Sequence, residues 1–137
     1  MDKSVRRLPI RRLPALILTR LWAGPMTVIG IAAALASLTM PRRSGPILVC
    51  RSSRGFARWF LLRRGYHAIA LGHLVLMVEE ASPDLLPHEM VHVRQGERWG
   101  PLFIPAYLAA MLILRIRGRD PYHDNPFEVQ ARREGGG

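Results

Sequence analysis

In the stretch "HEMVH", His88 and His92 stand four residues apart, with Glu89 directly after the first. On a helix this spacing stacks both imidazoles on one face, one turn apart. Each can then point a ring nitrogen at the same cation. Glu89 is turned about 100° away around the helix axis. It is placed to take a proton from water that a metal activates, rather than to bind the metal itself. The implied chemistry is zinc-dependent hydrolysis at a carbonyl, because zinc lowers the pKa of its water to about 7. The competing reading is an ordinary amphipathic helix that carries two histidines by accident. Two features favour the metal. Met90, Val91 and Val93 give Glu89 the hydrophobic company a tuned general base requires. The chain also has only 5 histidines, so the pairing does not come from a His-rich composition.

A catalytic zinc needs a third protein ligand and keeps its fourth position for water. The candidates lie in "GRDPYHDNPFEVQARREGGG" (118–137). Asn125-Pro126 is a helix start, with Asn as cap and Pro at the first helical position. Glu128 then falls in the first turn, where the bland reading is an acid favoured by the helix dipole. His123, in the loop before that helix, is the alternative ligand. Asp120 and Asp124 are poorer candidates, because loop aspartates mostly cap or turn.

These residues need elements to hold them. The spacing predicts a helix from 85 to about 98, capped by Asp84, with Pro87 at its third position and an end at Gly100-Pro101. "HAIALGHLVLMVEE" (67–80) reads as one largely buried strand, with Gly72 marking a bulge or a close approach. Gly72 and His73 would then lie on this strand. A lone His in an apolar strand is more often a satisfied core residue, and that reading stands next to the functional one. "SGPILVC" is a short strand entered by a Gly-Pro turn. Cys50, the only cysteine, excludes an intramolecular disulfide and reads as a small buried residue. "SSRGFARWFLLRRG" predicts a short basic amphipathic helix, its aromatics facing either the core or a membrane surface.

The uncharged run 101–114 would span about 21 Å as a helix, short of the roughly 30 Å of a bilayer core. A crossing there would also put Glu128 and His92 on opposite sides, so a crossing and a shared metal exclude each other. A core or interfacial helix over 105–117 is expected.

The 137 residues suffice for one domain with a modest core. Three parts are expected: a basic arm at 1–14, an apolar helical segment at 15–41, and a metal-binding domain at 45–134. Residues 1–64 carry 13 basic residues and one acid, whereas 65–137 carry seven basic and nine acidic residues. The first half should therefore meet an anionic surface. No nucleic-acid-binding motif accompanies the charge, and lipid is the expected partner rather than DNA or RNA. Within the apolar segment, residues 21–40 lack any charge and are long enough to cross a bilayer. A signal peptide, or a core hairpin or helix broken near Gly24-Pro25, are the other readings. Apart from the Gly135–Gly137 tail there is no low-complexity segment. Nothing in the residues sets an oligomeric state.

The segment "HEMVHVRQGERWGPLFIPAYLAAMLILRIRGRDPYHDNPFEVQAR" resembles a family of small bacterial proteins. They share H-E-x-V-H-V-x-Q, then W-G-P-L-F-x-P-x-Y-L, then N-P-F-E-x-x-A. The likeness takes in "GYHAIALGHLVLM" and, more weakly, "RLWAGPMTVIG", so it covers most of 20–134. Members are regarded as zincin-like metallopeptidases, close to the Glu-zincins. The resemblance implies an α+β domain in which a small sheet packs on the H-E-x-x-H helix and a C-terminal helix. It implies zinc held by His88, His92 and Glu128, Glu89 as the base, and a peptide or protein substrate beside the strand that holds Gly72 and His73. With the apolar segment, it implies association with a bacterial inner membrane, a cytoplasmic location being the alternative. A non-catalytic membrane-associated module, binding metal or anionic lipid, is the alternative function. The chain departs from the pattern at Pro87, where a helix former is more usual. It departs again at Arg132, where many Glu-zincins place a supporting Asp, so no partner for the histidines is identified.

Overall fold

The structure, a computed structural model, describes residues 13–136; the expected arm lies outside them up to residue 12. The fold is α+β, as expected. Strands β1 (Arg42–Ser44), β2 (Ile47–Ser52), β3 (Ala68–Leu71) and β4 (Leu74–Val78) form one sheet in the order β1-β2-β4-β3. β2 pairs with β4 in parallel; the other two pairings are antiparallel. β4 is the centre of the core. All five of its residues, Leu-Val-Leu-Met-Val, are buried, as a continuous apolar run on a two-sided strand should be. Leu61, Ile47 and Cys50 join it there.

The single strand expected over 67–80 is instead a hairpin. Leu71 pairs with Leu74 across a two-residue turn of Gly72 and His73. Gly72 has φ +61, which a glycine adopts without strain. The apolar residues on both arms mask the turn in the sequence. The bulge is absent, but the close approach is real. A Cβ on Gly72 would stand 2.3 Å from Thr27 Oγ1 and 2.6 Å from Thr27 N. The His73 amide donates to the same Thr27 hydroxyl (3.0 Å).

Thr27 belongs to α1 (Leu13–Ala36), one helix that runs unbroken through Gly24-Pro25. The break of the alternative reading, near Gly24-Pro25, does not occur. Pro25 removes one backbone hydrogen bond, and docking on both sides of it compensates. Before it, Trp22 covers Gly100; after it, Thr27 and Gly30 lie against the β3–β4 hairpin. The contact stripe is made of small residues: Ala23, Gly30, Ala34 and Ser37 are buried. Ile17, Leu18, Leu21, Val28, Ile29 and Leu35 point outward, each more than half exposed.

Helix α2 (Gly55–Arg63) buries Ala57 and Leu61. Its aromatics are not all core residues. Phe56 and Trp59 are each 54% exposed, while Arg63 lies over the Trp59 ring and Arg64 over Phe60.

Among the described residues, two helical stretches are long and apolar enough to cross a membrane, Ile17–Ala36 and Leu85–Ile116. The second is not one rod. Gly100, at φ 56 and ψ −134, is far from helical values and separates α3 (Leu85–Trp99) from a 3-10 turn (Gly100–Leu102) and α4 (Phe103–Ile116). α4 leaves Leu108, Leu112, Ile113 and Ile116 exposed.

Candidate metal centre

α3 carries the H-E-x-x-H residues and begins where expected, but its start has a different cause. Asp84 has helical dihedrals and makes no side-chain cap; its carboxylate accepts from Ser82 Oγ (3.2 Å) instead. The helix is entered through a turn in which the Leu85 amide donates to the Ser82 carbonyl. α5 (Pro126–Gly135) starts as its sequence implies. Asn125 Oδ1 accepts from the Phe127 amide (3.1 Å), and its Nδ2 donates to the Tyr107 carbonyl, tying α5 to α4.

With α3 and α5 packed together, three side chains meet. His88 Nε2 lies 3.1 Å from Glu128 Oε2, His92 Nε2 lies 3.3 Å from Glu128 Oε1, and the two Nε2 atoms are 3.3 Å apart. All three residues are buried, and their donor atoms fall within 4.8 Å of one another: a His-His-Glu group that can hold a metal ion. His123 is elsewhere. Its ring is exposed and faces Asp120 Oδ2 (3.2 Å), while Asp120 Oδ1 caps the Tyr122 and His123 amides, as loop aspartates do. His73 is also elsewhere, paired with Glu97 at 2.8 Å.

The hydrogen bonds behind the rings fix their tautomers. Gln95 Nε2 donates to the Phe127 carbonyl (3.0 Å), which can only accept, so Gln95 Oε1 must face His92. His92 Nδ1 therefore carries hydrogen and donates to it (2.8 Å). His88 Nδ1 likewise donates to the Gly136 carbonyl (3.2 Å). In the neutral rings both Nε2 atoms then hold lone pairs. Two lone pairs and a carboxylate turned on one another repel unless positive charge sits among them. The titration tendencies agree. Glu128 raises His88 above its ordinary range, chiefly through their hydrogen bond. Burial opposes charge on His92, yet Glu128, Gln95 and Glu89 together outweigh it and the net direction is up. Burial would raise Glu128, but the two imidazoles and Tyr107 hold it far below the carboxylate range.

Glu89, 6% exposed, is adjacent but not part of this triangle. Its Oε2 is a buried polar atom with no hydrogen-bond partner. Burial raises its pKa, the proton-seeking state of a general base. An unsatisfied buried carboxylate oxygen is costly, and it points to a group that completes the site.

Several supporting residues were not anticipated. Tyr107 O–H donates to Glu128 Oε1 (2.6 Å). Gln95, three residues after His92, supports that ring, and Arg132 binds the His123 carbonyl. The Gly135–Gly137 tail is not trivial at its start. A Cβ on Gly135 would stand 2.6 Å from the His88 Cα and the Pro87 carbonyl, so only glycine lets α5 end close enough for Gly136 to reach His88.

The group forms the floor of a cleft of about 420 Å³. Its walls come from Met26 and Ala33 of α1, Phe60 of α2, the β3 strand, and Leu108 and Met111 of α4. Tyr122 also faces it, its phenol pushed up to about 12 by burial and then by the Glu128 and Glu89 charges. No family model matches the chain, and no curated protein or solved structure matches it either.

Proposed function

We propose that this protein is a zinc-dependent metallopeptidase associated with a membrane. The observation that carries the reading is the convergence of His88, His92 and Glu128 on one point, with the unsatisfied Glu89 carboxylate beside it. Two imidazoles and a carboxylate suit zinc and leave a fourth position open. When bound, zinc supplies Lewis acidity toward a carbonyl and lowers the pKa of water to about 7. Glu89 accepts the proton of the attacking water and returns it to the leaving amine. Gln95 and the Gly136 carbonyl hold the imidazoles with Nε2 inward. Tyr107 holds Glu128, and Tyr122, protonated at neutral pH, lines the cleft beside them.

The membrane part rests on the exposed apolar faces of α1 and α4 and on the arginine-flanked aromatics of α2. Patches of this kind mark interaction surfaces. α1 serves as the tether and α4 lies at the interface, while α3 stays with the domain. These same features also suit a second reading, a non-catalytic module that docks on anionic lipid.

The Glu89→Gln variant separates the two. It should keep zinc and lose cleavage of a library of quenched fluorescent peptides. Loss of the metal, or cleavage that persists, would overturn the role given to Glu89. A wild-type protein that binds vesicles and cleaves nothing would favour the module.

A further inference from the structure

We propose that the cleft over the metal centre selects extended peptide with large apolar side chains, read by Phe60, Leu108 and Met111; this rests on the hydrolase reading above. The cleft's volume, about 420 Å³, is in the usual range for ligand pockets of about 300–1,000 Å³. Apart from the metal-site residues, Glu89 and the tyrosines Tyr66, Tyr107 and Tyr122, its one polar lining residue is Arg64, and that side chain is exposed and stacked on Phe60. A polar side chain entering against Phe60, Leu108 and Met111 would lose its water and find no partner on those three residues, at a cost that works against it. An apolar one gains by the area it buries.

The choice of peptide over an acyl chain comes from β3. It is the terminal strand of the sheet, and Ala68–Leu71 line the cleft. Its outer edge has backbone donors and acceptors that a further extended strand can pair with, and a hydrocarbon chain cannot. The rim adds a route of entry. Phe56 and Leu108 line the cleft and are 54% and 56% exposed, and the apolar surface continues along α4 through Leu112 and Ile116. A peptide segment already dissolved in the bilayer surface can enter without crossing a polar lip.

The test uses the full zinc-loaded chain in phosphatidylcholine nanodiscs. Calorimetry measures binding of the N-acetyl hydroxamates of Gly, Ala, Leu and Phe, with octanohydroxamate as a lipid-like comparison. The hydroxamate reports on the metal and the side chain on the cleft. The Leu and Phe compounds should bind roughly tenfold to a hundredfold more tightly than the Gly compound, the worth of burying such a side chain. Leu108→Glu should shrink that ratio. If all four bind equally, the selectivity is wrong while the metal centre stands. If octanohydroxamate binds most tightly, the occupant is an acyl chain and the peptide proposal falls. If none binds, the metal reading fails and takes this proposal with it.

Discussion

The Tyr107 phenol donates to Glu128 Oε1 across 2.6 Å, joining the helix that walls the cleft to the acid that completes the His-His-Glu group. A hydrogen bond to a charged group is worth about 1.5–3 kcal/mol. Tyr107→Phe removes it and lets the carboxylate turn. Zinc affinity, measured by competition with a chromophoric chelator, should fall by about tenfold or more, since outer partners of ligands typically contribute about 10–100-fold. An unchanged affinity would mean that Glu128 is held by α5 alone.

Gln95 sits behind His92 and joins α3 to α5, donating to the Phe127 carbonyl and to Gln130 Oε1 (3.0 Å each). Gln95→Leu removes the acceptor for His92 Nδ1 and strips the Phe127 carbonyl of its donor. The same assay should show a loss of about 10–100-fold. Gln130→Ala, which deletes only the exposed outer member of that chain, should change little. Equal losses in the two variants would argue against tautomer control by Gln95.

Cys50 gives a pH dependence far from the metal. Burial raises its thiol above the ordinary value of 9.0. The unfolded chain therefore loses this proton first as pH rises. The stability tied to the protonated thiol is intact below pH 9.0 and declines above it, toward the higher folded-state value. Cys50→Ala should be less stable than wild type at pH 7 because a buried group is lost. The gap in melting temperature between the two should narrow from pH 8 to pH 10. A gap constant with pH would show that the thiol titrates as it does in the unfolded chain.

How far the sequence reveals this arrangement depends on the kind of interaction. The α3 histidines and the Asn125-Pro126 start of α5 are legible because periodicity and capping are local. The zinc rule of three protein donors narrows the third position only to Glu128 or His123; the fold is what places Glu128 beside the two imidazoles. The β3–β4 turn is not, because Gly72-His73 sits inside one apolar run and its conformation is enforced by contact with Thr27. The continuity of α1 through Pro25 is likewise set by what the helix docks against. Tyr107 and Gln95 are ordinary residues in the sequence; they matter only once α4 and α5 have folded onto α3. The Gly136 carbonyl offers no side-chain clue at all. Its role depends on a glycine tail that passes within van der Waals reach of His88.

The central claim is that one cation binds His88, His92 and Glu128 together. The most direct test is an anomalous difference map at the zinc edge, from crystals of the full chain grown with zinc. One strong peak per chain is expected, about 2.0–2.2 Å from His88 Nε2, His92 Nε2 and a Glu128 carboxylate oxygen. A map with no peak between the two imidazoles, or with a peak there and the Glu128 oxygen turned away, would contradict it.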